Sequence, residues 1–341
     1  MNHCMYFVGI DVASETFTVS VWVADHKIIV TEAALLNTKE GIAAFVAWLS
    51  TRGMCQAQTI ICMEATGVYN EVLCTDLVAA GYRVAVEPPL NVKRAFQPGG
   101  PKSDPVDSRQ IAEYAFRFSD VLTFWTPVAA LVQEIRALLG MRERLTRNIV
   151  VHRNARHALA RAAHPYLLLL TMTDTLITQL VEKTVEIDAQ IRTLVRQDPR
   201  LQRIVGALDS IPGVGLLLAA YLLVLTNGFQ RVPTAREIAA YLGMAPLLRS
   251  SGSSLRGKPA SRHYGPRKLR SLLHLAARSV VTHRAEYREY YTRMCAAGKP
   301  KVLVLNNVAN KLLRVICAIM KSGAPYHAGH YSINPGLSAG R

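Results

Sequence analysis

The chain of 341 residues lacks the long hydrophobic runs and the cysteine spacing that define two large classes of protein. Its longest apolar run, residues 214–225, has 12 residues, whereas a membrane-spanning helix needs about 20. The six cysteines show no CxxC or related spacing, which argues against a zinc-binding module. The first residues also lack the layout of a signal peptide. We therefore expect a soluble, cytoplasmic protein with no membrane partner.

Acidic residues are scarce in the C-terminal part of the chain. Residues 249–321 contain 2 acidic and 16 basic residues, whereas residues 1–120 have a net charge of −4. The segment between them has a net charge of +5, and the whole chain has +16. Charge this concentrated disfavours a surface that is basic only for solubility. It indicates a polyanionic partner, with nucleic acid preferred to a membrane surface.

Strands and helices alternate in the first third of the chain. Runs rich in β-branched and aromatic residues predict strands, and apolar residues at helical spacing predict helices. The predicted order is β-β-β-α-β-α-β-α, with strands at 6–11, 17–24, 27–33, 59–64 and 82–87 and helices at 39–51, 69–80 and 104–118. This order predicts an α/β domain.

The rest of the chain reads as helical. Residues 127–197 are broken only at His164-Pro165 and predict two long antiparallel helices. After a polar loop at 249–265, basic helices are predicted at 266–284, 286–296 and 301–321. The first long helix carries a row of six arginines, which is either an ordinary solvated face or a contact with nucleic acid. These are Arg142, Arg144, Arg147, Arg153, Arg156 and Arg161. The predicted fold class is thus α/β followed by all-α.

The turn IPGVG at residues 211–215 lies between two apolar helices and predicts a helix-hairpin-helix. Glycines in such a turn expose backbone N–H groups at a helix N-terminus, where a phosphate binds. A plain helical corner explains the same residues equally well.

Four acidic residues occupy informative positions. Asp11 and Glu64 each end a predicted strand, while Asp104 and Asp107 open a predicted helix and share one face of it. Clustered carboxylates repel one another unless a cation lies among them, and a hard divalent ion prefers oxygen ligands. A pair of such ions can stabilise both oxygens of a phosphodiester displacement. The alternative for the helical pair is structural, with Asp104 as N-cap, Pro105 at N1 and Asp107 completing a capping box.

The stretch RSSGSSLRGK, residues 249–258, surrounds one glycine with four serines and flanks them with basic residues. Flexible linkers are rich in serine and glycine but rarely contain so much positive charge. The stretch is therefore a linker, a phosphate-binding loop, or a loop that presents a serine nucleophile to a polyanion. A serine hydroxyl needs a base or a metal for activation, and the nearest histidine is His263.

The strand order and the four acids of residues 1–120 resemble the ribonuclease H-like fold, and more closely its Holliday-junction-resolvase branch, also called RuvC-like. The motifs GID, MEATG and KSDxxDS, followed by IPGVG, AAYLGMAP, the serine stretch and GPRKLRSLLHLAA, resemble the insertion-sequence one-ten family of transposases, relatives of the Piv-type DNA invertases. Two sets of motifs in the right order over nearly the whole chain make this a specific resemblance.

The resemblance implies a DNA recombinase that excises and inserts its element. It implies that Asp11, Glu64, Asp104 and Asp107 form a magnesium site, with manganese as a substitute. Counting from Ala245-Pro246 places the family's serine nucleophile at Ser251, with Ser250, Ser253 and Ser254 as neighbours. Attack by this serine would give a covalent phosphoserine intermediate. The predicted nucleic-acid-binding residues are Arg249, Arg256, Lys258, Arg262, Arg267, Lys268 and Arg270.

The partners that the resemblance implies are donor and target DNA duplexes and a structured bridge RNA from the element, which guides target choice by base pairing. It also implies a homo-oligomer, expected as a tetramer built from two dimers. The expected domains are a RuvC-like catalytic domain at 1–126, a helical hairpin or coiled coil at 127–200, a C-terminal transposase domain at 201–325 and a tail at 326–341.

Two other functions stay open at this stage. One is a metal-dependent nuclease specific for DNA junctions, without a covalent intermediate. The other is a nucleic-acid-binding protein without enzymatic activity, in which the acids serve only as caps.

Overall fold

The computed structural model of the chain forms two compact units, residues 1–127 and residues 128–341. It describes residues 5–24, 29–65, 67, 69–96, 103–251, 255–261 and 265–327, with 29–34, 246–251 and 255–261 described by their backbone. Arg262, Ser253, Ser254 and the tail from 328 onward lie outside the described residues.

The front unit contains a five-stranded mixed sheet in the order β3-β2-β1-β4-β5. Strands β1 to β3 form an antiparallel meander, and β4 and β5 extend the sheet in parallel with β1. The strands are β1 Tyr6–Val12, β2 Thr16–Val23, β3 Ile29–Leu36, β4 Thr59–Glu64 and β5 Arg83–Glu87. The helices are α1 Lys39–Thr51, α2 Tyr69–Ala79, α3 Pro89–Ala95 and α4 Asp104–Arg117. The predicted α/β class of this unit is confirmed, and α3 is an additional short helix.

The two faces of the sheet are covered by different helices because side chains alternate along each strand. Val8 and Ile10 of β1 face a core that includes Phe45 of α1 and Leu77 of α2. Phe7 faces the opposite way, in a core with α4. The acid-bearing ends of β1 and β4 therefore lie beside two distinct layers.

Helix α4 packs unusually close to the centre of β1, at Gly9. A β-carbon on Gly9 would lie 2.2 Å from the carbonyl oxygen of Ser108 and 2.2 Å from the amide nitrogen of Ala112. Beside this contact, the buried hydroxyls of Ser20 and Ser108 are 2.8 Å apart and form a hydrogen bond. Glycine at position 9 thus fixes the distance between the sheet and α4.

The second unit begins with two long antiparallel helices, α5 Ala130–Leu159 and α6 Leu167–Gln197. Two bidentate ion pairs connect them. Arg142 donates to both carboxylate oxygens of Asp188 at 2.6 and 3.0 Å, and Arg156 donates to those of Asp174 at 2.6 and 3.1 Å. Two of the six arginines in the predicted row are therefore engaged in joining α5 to α6.

Helices dominate the remainder of the second unit, as predicted. They are α7 Pro199–Asp209, α8 Leu216–Leu225, α9 Ala235–Tyr241, α10 Arg267–His283, α11 Ala285–Ala296 and α12 Lys301–Ser322. By length and composition alone α12 could cross a membrane. However, half of its most apolar window is buried, and residues such as Leu312 and Ile316 belong to the core of the unit. Its apolar character is that of a core helix.

The turn between α7 and α8 contacts α10. Gly213 has a left-handed backbone with φ of +80°, and a β-carbon there would lie 2.8 Å from the carbonyl oxygen of Ala276. Glycine at this position is therefore required by both conformation and packing.

The polar loop predicted at 249–265 is wrong over most of its length. The backbone forms an antiparallel hairpin of β6 Pro246–Ser251 and β7 Leu255–Ser261, with a register shift between Leu247 and Arg249. The sequences of these strands, PLLRSS and LRGKPAS, have no regular apolar alternation. A pattern based on burial consequently predicts a loop.

Candidate active site

The register of two parallel strands brings Asp11 and Glu64 side by side. Strands β1 and β4 pair with Gly9 opposite Cys62 and Ile10 opposite Met63, so Asp11 and Glu64 occupy the next position of the ladder. Neighbouring strands are separated by about 4.8 Å. The two carboxylates therefore leave the sheet from adjacent points at the ends of their strands.

Both side chains belong to the face of the sheet that α4 covers. Gly9 contacts α4, and Cys62 lies in the core that contains Ile111 of α4. Asp11 follows Gly9 by two residues and Glu64 follows Cys62 by two, and residues two apart on a strand share a face. The same alternation that packs α4 therefore directs the two acids to its side of the sheet.

Helix α4 runs antiparallel to β1, and its first turn points toward Asp11. Phe116 contacts Phe7 with their ring centroids 5.3 Å apart, while Ser108 lies over Gly9. From Ser108 back to Asp104 the helix advances about 6 Å, and from Gly9 to Asp11 the strand advances about 7 Å. Asp104 and Asp107 are thus carried toward the strand ends that bear Asp11 and Glu64.

The interpretation of Asp104 as an N-cap is wrong. Ser103 is the N-cap of α4, with extended backbone angles, and its side chain makes no capping hydrogen bond. Asp104 is the first helical residue and Pro105 the second, where the lack of a proline N–H leaves no helical hydrogen bond unmade. A capping box with Asp107 at N3 does not form, so capping does not explain either acid.

Glu87, which was not among the acids predicted for the site, ends β5 directly opposite Glu64. Its side chain is buried and accepts hydrogen bonds from Asn91 Nδ2 at 3.1 Å and from the Tyr114 hydroxyl at 3.4 Å. Glu87 ends an apolar strand just as Glu64 does, so the same sequence signal could have found it. Three neighbouring strands therefore each carry an acidic residue at their last or next-to-last position.

These acids alter the ionisation of the groups around them. Burial raises the pKa of the Cys62 thiol, and the charges of Glu87 and Glu64 raise that pKa further. Burial and then Glu87 likewise raise the pKa of the Tyr114 hydroxyl. Glu64 and Glu87 therefore act electrostatically on the α4 side of the sheet.

The four predicted acids suit a hard divalent cation both by their chemistry and by their positions in the fold. Carboxylate oxygens are the ligands that such ions prefer, and two acids leave the sheet at adjacent points beside a helix start that carries two more. Within the described ranges, however, no three His, Cys, Asp or Glu side chains lie close enough together to hold a metal ion. The structure therefore brings the backbones of the four acids to one region without gathering their side chains as a ligand set.

The predicted nucleophile lies at the end of the β6–β7 hairpin. Ser251 is the last residue of β6 and pairs with Leu255, the first residue of β7. Along the strand its backbone lies about 17 Å from Pro246. The hairpin thus carries Ser251 well away from the helices at its base.

The base of this hairpin is fixed to the helical core at three points. Asn306 of α12 donates its side-chain amide to the carbonyl oxygen of Met244 at 3.1 Å, and Arg270 of α10 donates to that of Leu242 at 3.1 Å. Gly265 has φ of +82°, and a β-carbon there would lie 2.0 Å from the carbonyl oxygen of Tyr241. The chain therefore enters and leaves the hairpin at defined positions.

The predicted nucleic-acid-binding residues fall into two groups. Arg249 pairs with Gly257 and Arg256 pairs with Ser250, so both basic residues lie on the hairpin near Ser251. Lys258 lies two residues beyond Arg256 on β7. Arg267 is exposed and Lys268 half-buried at the start of α10, while Arg270 makes the structural hydrogen bond to Leu242.

Two family models match the two parts of the chain in order. The model of the DEDD transposase domain matches residues 8–165, and the model of the IS116/IS110/IS902 transposase family matches residues 205–292. The chain is 26% identical to the pilin gene-inverting protein of Moraxella lacunata over 328 residues, or 94% of this chain and 97% of that protein. It is 34% identical to an uncharacterized 43.6 kDa protein of the insertion element IS110 of Streptomyces coelicolor over 152 residues, or 45% of this chain and 36% of that protein.

An α/β sheet with acids at its strand ends, followed by a basic helical unit and matched by both transposase domains, defines a DNA-recombining enzyme of the DEDD transposase class. The interpretation as a binding protein without enzymatic activity is thereby disfavoured. The chain belongs to the IS110 family of transposases.

Proposed function

We propose that this chain excises and inserts DNA through attack of the Ser251 hydroxyl on a DNA phosphodiester, with a divalent cation held by Asp11, Glu64, Asp104 and Asp107. The observation that carries the proposal is the strand register that sets Asp11 beside Glu64 on the side of the sheet where α4 begins. The position of Ser251 at the end of a firmly anchored hairpin supports its role as the nucleophile.

The reaction balances as a transesterification. The Ser251 oxygen forms a bond to phosphorus, the bond from phosphorus to one DNA oxygen breaks, and that oxygen leaves as a hydroxyl after gaining a proton. The serine proton passes to a base. The reverse attack by a DNA hydroxyl restores the phosphodiester and the serine, so the energy of the broken bond is retained for joining a new strand.

The protein's own residues would bind and orient the phosphate. Arg249, Arg256 and Lys258 lie on the same hairpin as Ser251, and charge-assisted hydrogen bonds from them would offset the negative charge that develops in the transition state. A bound magnesium or manganese ion would lower the pKa of the attacking or leaving hydroxyl and stabilise charge on the phosphate oxygens.

Donor and target DNA duplexes are the proposed substrates, and a bridge RNA is the proposed guide. The concentration of positive charge in residues 249–321 supports binding of a nucleic-acid backbone rather than of particular bases.

The turn of residues 211–215 is proposed to act as a helix-hairpin-helix that binds a phosphate at the start of α8. We propose that the reaction takes place in the cytoplasm, where such an element and its RNA are present.

The assembly is proposed to be a tetramer built from two dimers. A cluster of large apolar side chains at the start of α6 supports an interface there, because Tyr166, Leu167 and Leu168 are 67%, 79% and 72% exposed. A second copy of the hairpin of α5 and α6 would cover these side chains. Size-exclusion chromatography with light scattering should show a smaller particle for Leu167→Glu/Leu168→Glu than for the parent protein.

The experiment that tests the chemistry is a search for a nucleotide on Ser251. The protein is incubated with its element-end DNA and magnesium, denatured, digested with nuclease and protease, and analysed by mass spectrometry. The proposal expects a nucleotide adduct on Ser251 that is absent from Asp11→Ala. The matched control Ser250→Ala should retain the adduct, whereas Ser251→Ala should lose it.

A nuclease without a covalent intermediate is the second candidate, favoured by the acidic row on a sheet of this class. In that case the DNA is cut without an adduct on Ser250, Ser251, Ser253 or Ser254, and Ser251→Ala remains active. An adduct on a neighbouring serine would shift the nucleophile by one to three positions and leave the reaction class unchanged.

A further inference from the structure

An open groove lies on the surface of the second unit between α11 and α12. Helix α11 packs on α12 without fully burying any residue of its own, so the groove is bordered by side chains from both helices. Its lining includes Tyr290 and Arg293 of α11 and Lys311 of α12. It is distinct from the acidic row in the front unit and from the serine hairpin.

Arg293 and Lys311 line this groove, and the charge of Arg314 acts on Lys311 from the same helix. Tyr290 and Arg293 are three residues apart on α11, and Lys311 and Arg314 are three residues apart on α12, so each pair shares a helix face. The Lys311 ammonium lies 3.6 Å from the centroid of the Tyr290 ring. This cation–π contact fixes the ammonium on one side and leaves its other N–H groups directed away from the ring.

The three cations repel one another in the free protein. Burial lowers the pKa of Lys311, and the charges of Arg293 and Arg314 lower it further. In the described part of the chain, no carboxylate forms an ion pair with Lys311, Arg293 or Arg314. An anion in the groove would therefore replace repulsion with attraction at all three positions.

We propose that Arg293 and Lys311, with the neighbouring charge of Arg314, form a site for a backbone phosphate of duplex DNA. The proposal rests on the DNA-recombining function of the chain and adds a contact outside the hairpin and the start of α10. A fixed ammonium in a groove that the Arg293 guanidinium also lines suits a tetrahedral phosphate, whose oxygens accept several hydrogen bonds at once. The site reads no bases, so it contributes affinity independent of sequence.

Two acidic residues line the groove: Glu286 forms an ion pair with Arg284, and Glu289 provides an internal test. Glu289 lines the same groove and lies four residues before Arg293 on α11. Its carboxylate opposes the entry of an anion. Replacement by glutamine should therefore strengthen duplex binding, which a purely structural role for the groove would not produce.

Lysine acylation with and without DNA tests the site directly. The full chain is treated with a brief pulse of N-hydroxysuccinimidyl acetate, alone or with a 30-base-pair duplex of arbitrary sequence, and acetylation is read by mass spectrometry. We expect the duplex to slow acetylation of Lys311 at least several-fold. Lys321, on the same helix about 15 Å away, should change little. Equal rates at Lys311 with and without duplex would overturn the proposal.

The salt dependence of DNA binding gives a quantitative test of the same site. The logarithm of the DNA-binding constant falls linearly with the logarithm of the salt concentration, with a slope of about −0.9 for each phosphate contact. Lys311→Gln should therefore make this slope less steep by about 0.9. An unchanged slope would overturn the proposal, as would protection of Lys311 by a folded RNA hairpin but not by the duplex. Protection should persist in Ser251→Ala, so the outcome is separable from failure of the proposed serine chemistry.

Discussion

Gly9 lies against Ser108 so closely that any β-carbon at position 9 would be 2.2 Å from the Ser108 carbonyl oxygen. This contact sets the height of α4 above β1, whose next-to-last residue is Asp11. Gly9→Ala forces α4 away from β1, because the atoms that it meets are backbone atoms that no rotamer change can remove. We expect a loss of about 1–3 kcal/mol in the free energy of unfolding, together with loss of recombination. Thermal or urea denaturation measures the first effect.

Gly206 provides the matched control for this substitution. It lies within α7, and a β-carbon there would meet nothing within 4 Å. Gly206→Ala should leave stability unchanged or increase it by up to about 1 kcal/mol, because alanine is the better helix former. If Gly9→Ala proved as harmless as Gly206→Ala, the close packing of α4 on the sheet would be wrong.

Asp11→Asn should weaken metal binding without unfolding the protein. Asn keeps the shape of the side chain and removes the charge that attracts the cation, so we expect at least a tenfold loss of Mn²⁺ affinity, since such a loss corresponds to about 1.4 kcal/mol. Titration calorimetry, or the paramagnetic resonance signal of free Mn²⁺, measures this without reference to activity.

The control for Asp11 is Asp120→Asn, an exposed acid beyond the far end of α4. It removes the same charge from the same unit but lies away from the strand ends. Equal Mn²⁺ affinity in Asp11→Asn and Asp120→Asn would exclude Asp11 as a ligand.

Glu87→Gln should lower the pKa of Tyr114. Burial is the first cause of the raised pKa of this tyrosine, and the charge of Glu87 is the second. Removing that charge makes the phenolate easier to form, so the pKa should move back toward its ordinary value near 10. A spectrophotometric titration measures the shift, with Tyr114→Phe identifying the signal. Glu113→Gln, at a half-buried position of α4 where the acid pairs with Arg117, should leave the pKa of Tyr114 unchanged.

The order of elements in the front unit could be predicted from the sequence because its strands are buried. Buried strands are rich in apolar residues, and this pattern is visible in the sequence. Val8, Ile10 and Ile61 are fully buried, and burial is what hydrophobic patterns report. The predicted N-cap of α4 was displaced by one residue, because Asp104 and Ser103 are both acceptable N-caps and only the backbone angles distinguish them.

Two features of the candidate site could not be predicted from the sequence. The pairing of β6 with β7 depends on backbone hydrogen bonds between residues without an apolar pattern, so the strand around Ser251 was not predicted. The grouping of Glu87 with Glu64 depends on strand order, because residues distant in sequence become neighbours only when β4 and β5 pair. Both follow from long-range pairing rather than from local composition.

Arg142 and Asp188 should be energetically coupled across the two long helices. Both side chains are largely buried and form a bidentate pair, so a double-mutant cycle with alanine should give a coupling of about 1 kcal/mol. Arg156 and Asp174 have the same geometry at a more exposed position and should give a smaller coupling, because water screens the charges. Chemical denaturation of the four variants in each cycle measures both values. A larger coupling at the exposed pair would contradict the packing of α5 on α6.

Asn306→Ala should slow the proposed serine chemistry more than it weakens DNA binding. The Asn306 amide holds the Met244 carbonyl just before β6 begins, so its loss frees the base of the hairpin that carries Ser251. We expect the stability cost to be about 1 kcal/mol and the rate of phosphoserine formation to fall about tenfold or more, because attack requires close alignment. Single-turnover assays measure the rate, and fluorescence anisotropy measures DNA affinity.

Asn310→Ala is the control for this substitution. It removes an amide that donates within α12 itself, to the Asn306 carbonyl oxygen at 3.0 Å, and it should leave the rate unchanged. Equal effects of the two substitutions on the rate would show that anchoring of the hairpin does not limit the reaction.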